Sequence, residues 1–111
     1  MAVIKNSTSH KVLSKNALIA SSFYERLLGL LNPKNPRHIV IKTHFGIHTI
    51  FMQSPIDILL LNKENKIVKK KENFKPYRLF LYNPRFSIVI EMPEGSIKKN
   101  HIHINDKILI E

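Results

Sequence analysis

Asp57 is the side chain in this sequence with the most chemistry to account for. It lies in Pro55-Ile56-Asp57-Ile58-Leu59-Leu60-Leu61. Strand alternation puts Asp57, Leu59 and Leu61 on one face, and Ile56, Ile58 and Leu60 on the other. A strand apolar on both faces belongs to an interior. A carboxylate there must meet a cation or backbone donors, because an uncompensated buried charge is strongly destabilising. Arg26, Arg78 and His48 are the candidate cationic partners. The pairing then has two readings: an ion pair that clamps helix to sheet, or a polar group at the floor of a pocket.

The segment Gly46-Ile47-His48-Thr49-Ile50-Phe51-Met52 precedes it. If extended, it shows His48, Ile50 and Met52 on one face. His48 is then either a titrating group in an apolar pocket or a hydrogen-bonded core residue. With Asp57 it could form an acid–base pair, the enzymatic alternative for this chain. No catalytic motif supports that alternative. There is no G-x-S-x-G elbow and no cysteine to act as a nucleophile.

Six histidines raise the question of a metal. His44 and His48 have the i, i+4 spacing that chelates on a helix, but Gly46 and the β-branched neighbours favour a strand. On a strand they stand about 13 Å apart, too far to share an ion. His101 and His103 would share a strand face about 6.7 Å apart, and two ligands do not make a site. No metal and no cofactor are expected. Phe74-Lys75-Pro76-Tyr77-Arg78-Leu79-Phe80 interleaves aromatic and basic residues as single-strand nucleic-acid binders do, and core packing explains Phe80 equally well. Glu91 and Glu94 flank a turn, and Glu91, alternating with Ser87 and Val89, is expected at a rim.

The elements that must position these groups are short and separated by turn chemistry. Val3-Ile4 and the stretch from Val12 to Ala20 read as early strands. Ser22 to Leu31 reads as a helix: Ser22 and Glu25 form a capping box, Phe23, Leu27, Leu30 and Leu31 make an apolar stripe, and Asn32-Pro33 stops it. Gly29 inside that helix implies close approach of another segment, on the face shared with Arg26.

Further strands are expected at Ile39–Lys42, Ile47–Met52, Ile56–Leu61, Lys66–Lys70, Tyr77–Tyr82, Phe86–Glu91 and Lys107–Ile110. Asn62-Lys63-Glu64-Asn65 reads as a hairpin turn, and Ser96–Asn100 as one short helical turn. This pattern is mainly β. It suits an antiparallel β-sandwich or jelly-roll-like barrel with one short N-terminal helix.

Composition bounds the function. The 111 residues, 43% hydrophobic, can bury one core, so residues 1–111 are read as a single domain. The N-terminus lacks the apolar run of a signal peptide and no later run approaches a membrane span, so the expected location is cytoplasmic. Lys and Arg number 18 against 8 Asp and Glu, a formal charge of +10. Such a surface attracts polyanions, and binding of nucleic acid by the lysines, or of an anionic membrane, enters as an alternative.

Arg26-Leu27-Leu28-Gly29-Leu30, His48-Thr49-Ile50-Phe51-Met52, Pro55-Ile56-Asp57, Pro76-Tyr77-Arg78, Glu91-Met92-Pro93-Glu94-Gly95 and Asn105-Asp106 occur in that order. In this ordered set, from about Ala17 to the C-terminus, the chain resembles the domain of unknown function 192 (DUF192) family. The resemblance implies a compact jelly-roll-like β-sandwich and no established activity. It departs at Asn105, where the family prefers Gly, and Asn tolerates the positive φ that such a turn needs.

Taken together, the residues point to a non-enzymatic binding or accessory domain. Its ligand would be a small anion or a peptide. The candidate site is Arg26, His48, Asp57 and Arg78, with Met52 as a wall; Gly29, Pro55, Glu91, Gly95 and Asp106 are expected to be structural.

Overall fold

The computed structural model describes residues 2–20, 38–44, 46–48 and 54–111, with His48 described by its backbone alone. The expected helix at Ser22–Leu31, with Arg26 and Gly29, lies outside the described residues, as does Met52. Within them the chain is mainly β. In order it forms β1 (Ala2–Asn6), β2 (Lys11–Ala20), β3 (Ile39–Lys42), β4 (Ile47–His48), β5 (Ile56–Leu61), β6 (Ile67–Phe74), β7 (Leu79–Phe80), β8 (Ile88–Pro93), the short helix α1 (Ser96–Lys99) and β9 (Ile108–Ile110). Several boundaries move from their expected places. The tract 67–74 extends the expected strand, the ribbon strand around Leu79 shrinks to two residues, and β8 runs on to Pro93.

Seven strands form one sheet in the order β6-β5-β8-β3-β2-β1-β9, and β4 pairs with β7 in a separate ribbon. The expected purely antiparallel arrangement needs one correction: β2 and β3 run parallel, with Leu18, Ile19 and Ala20 opposite Ile39, Val40 and Ile41. A parallel pair needs a crossover of a dozen or more residues, and the chain between Ala20 and Ile39 is long enough to supply one.

The large sheet curls until its two edge strands meet at one end. Lys66 bridges Lys107. The Ile67 N–H donates to the Asp106 carbonyl at 3.0 Å, the Asn105 N–H to the Ile67 carbonyl at 2.8 Å, and the Ile108 N–H to the Asn65 carbonyl at 2.8 Å. These bonds blunt two edges that would otherwise offer unpaired backbone to other chains. The turns that allow the meeting use left-handed residues, Asn65 at φ 60° and Asn105 at φ 73°. Asn62 caps the first of them, its side-chain oxygen accepting from the N–H groups of Glu64 (2.9 Å) and Lys66 (3.0 Å).

Two apolar clusters lie on opposite faces of the sheet. The one inside the curl takes a side chain from each of its seven strands: Ile4, Ala17, Val40, Leu59, Ile67, Ile90 and Ile108, joined by Ile97 and Ile102 from α1 and the turn after it. The other cluster covers the outer face of β3, β8 and β5. There Ile39, Ile41, Ile56, Ile58, Leu60 and Val89 meet Ile47 of β4 and Phe80 of β7. Central strands sandwiched this way must be apolar on both sides, and all six residues of β5 are buried.

The ribbon is fastened through the loops that lead into it. The Tyr82 hydroxyl donates to the Thr43 carbonyl, the Thr43 N–H to the Ser87 carbonyl at 2.9 Å, and His44 Nδ1 lies 2.7 Å from the Pro84 carbonyl. Burial raises the Tyr82 pKa above its usual value, against an opposing backbone hydrogen bond from Gly46. Gly46 itself has φ +105°, and a Cβ there would stand 2.6 Å from the Phe80 carbonyl oxygen.

Two expectations follow. Gly46→Ala should destabilise the fold by about 2 kcal/mol or more, through backbone strain and displacement of β7, read as a lower urea midpoint. His38, whose carbonyl starts the β2–β3 pairing, has its pKa lowered from 6.5 by burial. Its folded state therefore favours the neutral ring, so the contribution to stability is present above pH 6.5 and is lost as pH falls through the depressed folded value. Urea unfolding on both sides of that pH should show the acid-side loss shrink in His38→Gln.

Candidate functional site

Asp57 follows the alternation of β5 into the inside of the curl, opposite Met92 of β8, and is 0% exposed. Its carboxylate is met by backbone. Oδ1 accepts from the Asn73 N–H at 3.0 Å and Oδ2 from the Ile97 N–H at 2.8 Å. Both donors come from local distortions. Asn73 has φ 54°, and the β5–β6 register slips between Ile56 and Ile58. Ile97 sits in the first turn of α1, where N–H groups have no partner within the helix. Gly95, at φ 89°, makes the turn into α1 and brings no capping side chain of its own. Asp57 thus caps from a distant strand a helix whose own sequence lacks a cap.

α1 has further ties. The Ser96 hydroxyl donates to the Pro93 carbonyl, and Lys70 of β6 donates to the Ile102 carbonyl at 3.1 Å just beyond the helix. A second carboxylate works in the same manner at the closing edge. Asp106 Oδ2 accepts from the Asn6 side-chain amide (2.8 Å) and from the His103 N–H (2.9 Å). Asn6 in turn accepts from the Thr8 N–H at 3.1 Å.

Glu91 corrects the expectation of a rim position. It lies mid-strand in β8, 1% exposed, with Ile39 of β3 on one side and Ile58 of β5 on the other. The rim reading fails because β8 pairs with β3 as far as Glu91 and with β5 on to Pro93. By register Glu91 belongs to the outer cluster, the face opposite Asp57. That face also carries the β4–β7 ribbon, in which His48 pairs with Leu79, next to Arg78.

The predicted residues therefore divide. His48 and Arg78 are neighbours at the level of the backbone, on the Glu91 side of the sheet. Asp57 lies on the other side, with both oxygens engaged. Arg78 is exposed and Pro55 half-buried. Arg26 and Met52 lie outside the described residues. His101 and His103 fall in the turns after α1 rather than on a shared strand face, and both are exposed. Among the described residues no group of three His, Cys, Asp or Glu is placed to hold a metal ion. No helix among them is long and apolar enough to cross a membrane. A signal for the buried position of Glu91 was present in the sequence, since it is flanked by Val89, Ile90 and Met92.

Comparison with known proteins agrees with the motifs. The chain belongs to the DUF192 family (an uncharacterized ACR), which matches residues 3–110. It is 30% identical to a UPF0127 protein of Pyrococcus abyssi over 115 residues, covering 97% of each chain. It is 27% identical to a UPF0127 protein of Thermococcus sibiricus over 110 residues, which cover 93% of this chain and 71% of that one. Among solved structures, a protein of unknown function from Novosphingobium aromaticivorans shares the fold at TM-score 0.76 and 16% identity, over 97% of this chain and 82% of the other. A proposed transcription regulator from Sinorhizobium meliloti does so at TM-score 0.73 and 15% identity, over 97% and 90%. At these identities the two structures bear on fold alone.

The Asp57 geometry makes a definite prediction. Asp57→Asn keeps one acceptor but turns an amide NH₂ toward a backbone N–H. It should cost about 1.5–3 kcal/mol, the range for hydrogen bonds to a charged group, measured by urea unfolding. Amide exchange at Ile97 should accelerate more than at Leu59.

Proposed function

We propose that this member of the DUF192 family is a non-enzymatic binding or accessory domain. Its site for a small anionic ligand lies on the sheet face that carries Glu91. Arg26, His48 and Arg78 are its polar contacts and Met52 a wall, while Asp57 serves as a structural support.

The observation that carries this reading is the opposition of the two buried carboxylates. Asp57 and Glu91 lie on adjacent central strands and project to opposite faces. Asp57 is held by two backbone N–H groups inside the curl. Glu91 lies on the side to which the ribbon brings His48 and Arg78. In this reading Arg78 and Arg26 outweigh the one carboxylate of that face, which suits an anion. The acid–base alternative loses support, because it needs Asp57 within reach of His48 with an oxygen to spare.

Native mass spectrometry of freshly purified protein, set against the denatured mass, tests the proposal. The expected result is an extra mass that dissociates on denaturation. It should diminish in Arg26→Ala and Arg78→Ala, and persist in Asp57→Asn under conditions where that variant is folded. A clean apo mass, together with no rise in Tm in citrate or pyrophosphate, would overturn it.

A further inference from the structure

The ribbon layer has a second property, which shares Arg78 with the proposed small-ligand site and rests on other observations. Leu79 and Leu81 alternate with Phe80 and Tyr82. Phe80 is buried at 3% exposure and packs on Tyr82 at 5.6 Å between ring centroids. Leu79 and Leu81 point the other way and are 66% and 65% exposed; Tyr77, in the turn before them, is 73% exposed. These are the three most exposed large apolar residues among those described. Side chains this exposed stand clear of the surface rather than lining a groove.

The segments that build the ribbon carry charge of one sign. From Phe74 to Ile90 the sequence contains Lys75, Arg78 and Arg85 and no carboxylate. From His38 to Ile56, which includes β4, it contains Lys42 and three histidines and again no carboxylate. Lys69 of β6 adds its ammonium 5.6 Å from the centre of the Phe80 ring. The acidic residues of the chain all fall outside these two segments.

From these observations we infer that the exposed tip of the ribbon, Tyr77, Leu79 and Leu81 with Lys75, Arg78 and Arg85 around it, docks on the surface of an anionic lipid bilayer. Leucines enter the acyl boundary, a tyrosine sits at headgroup depth, and flanking cations meet the lipid phosphates. A second copy of the chain is a poor occupant, since it would set cation against cation across the contact. An acidic protein matches the charge but would need pockets for three protruding side chains. A bilayer accepts them without preformed shape.

Co-sedimentation with vesicles tests this. At physiological salt the protein should pellet with vesicles of equal phosphatidylcholine and phosphatidylglycerol, and about tenfold or more weakly with phosphatidylcholine alone. The double variant Leu79→Ser, Leu81→Ser should lose about tenfold or more of the binding to anionic vesicles. Its Tm should stay close to that of the parent, because both side chains are exposed. In the bound state, amide exchange should slow in the tract 77–82. Failure to pellet with anionic vesicles overturns the inference. Pelleting unaffected by the double substitution also overturns it, since the lysine-rich surface as a whole would then be responsible. Binding to poly-glutamate that needs Leu79 and Leu81, without binding to vesicles, would replace the bilayer by an acidic protein.

Discussion

A carboxylate in the middle of a strand that is buried on both faces cannot turn to water, and the architecture around Asp57 follows from that constraint. Two backbone N–H groups must be delivered to it. One comes from β6, whose ladder with β5 is broken by a register slip that turns the Asn73 N–H toward Asp57. The other comes from the first turn of α1, a helix far too short to persist unaided. Hydrogen bonds to an ionised acceptor are roughly twice as strong as neutral ones. Asp57 therefore joins β5, β6 and the segment after β8 more firmly than apolar contact alone would. Ile97 and Ile102 are in that way set into the inside of the curl.

Closure of the sheet uses the same chemistry at its other end. Asp106 gathers Asn6 and the His103 backbone, and the bonds from Asn105, Ile67 and Ile108 stitch β9 to β6 beside it. Both oxygens of Asp57, and Oδ2 of Asp106, accept from donors fixed by the fold. Both carboxylates lie away from the outer face of β3, β8 and β5. On that face Thr43, His44 and Tyr82 are among the described residues that attach the ribbon.

Charge is sorted by layer. The described acidic residues are buried in the main sheet, as Asp57 and Glu91 are, or lie in its turns, edge strand and terminus, as Glu64, Glu72, Glu94 and Glu111 do. The segments that build and flank the ribbon, 38–56 and 74–90, contain cations and histidines and no carboxylate. Most of the lysines are spread along the rest of the chain, where positive charge means little beyond solubility and weak attraction to polyanions. Beside the protruding leucines, Lys75, Arg78 and Arg85 have no carboxylate in their own segment to offset them, and there the charge acquires a direction. The proposed small-anion site and the proposed bilayer contact both use that asymmetry and share Arg78, which is exposed.

What the sequence determined by itself is the local and periodic part of this protein. Two-residue alternation is enough to assign β5 and to put Asp57 on the face of Leu59 and Leu61. The Asn62–Asn65 turn and the left-handed turn at Asn105 are legible because Asn is the residue that makes such backbone inexpensive. The ordered motifs identify the family. The tertiary structure decided what no local pattern encodes: which donors meet Asp57, that Glu91 is interior, that β2 and β3 run parallel, and that Leu79 and Leu81 face outward. Alternation says that two faces exist, but the partner each face meets depends on strand order. Strand order is set by contacts between residues distant in the chain, so cation and amide looked equally suitable for Asp57 until β6 and α1 were in place.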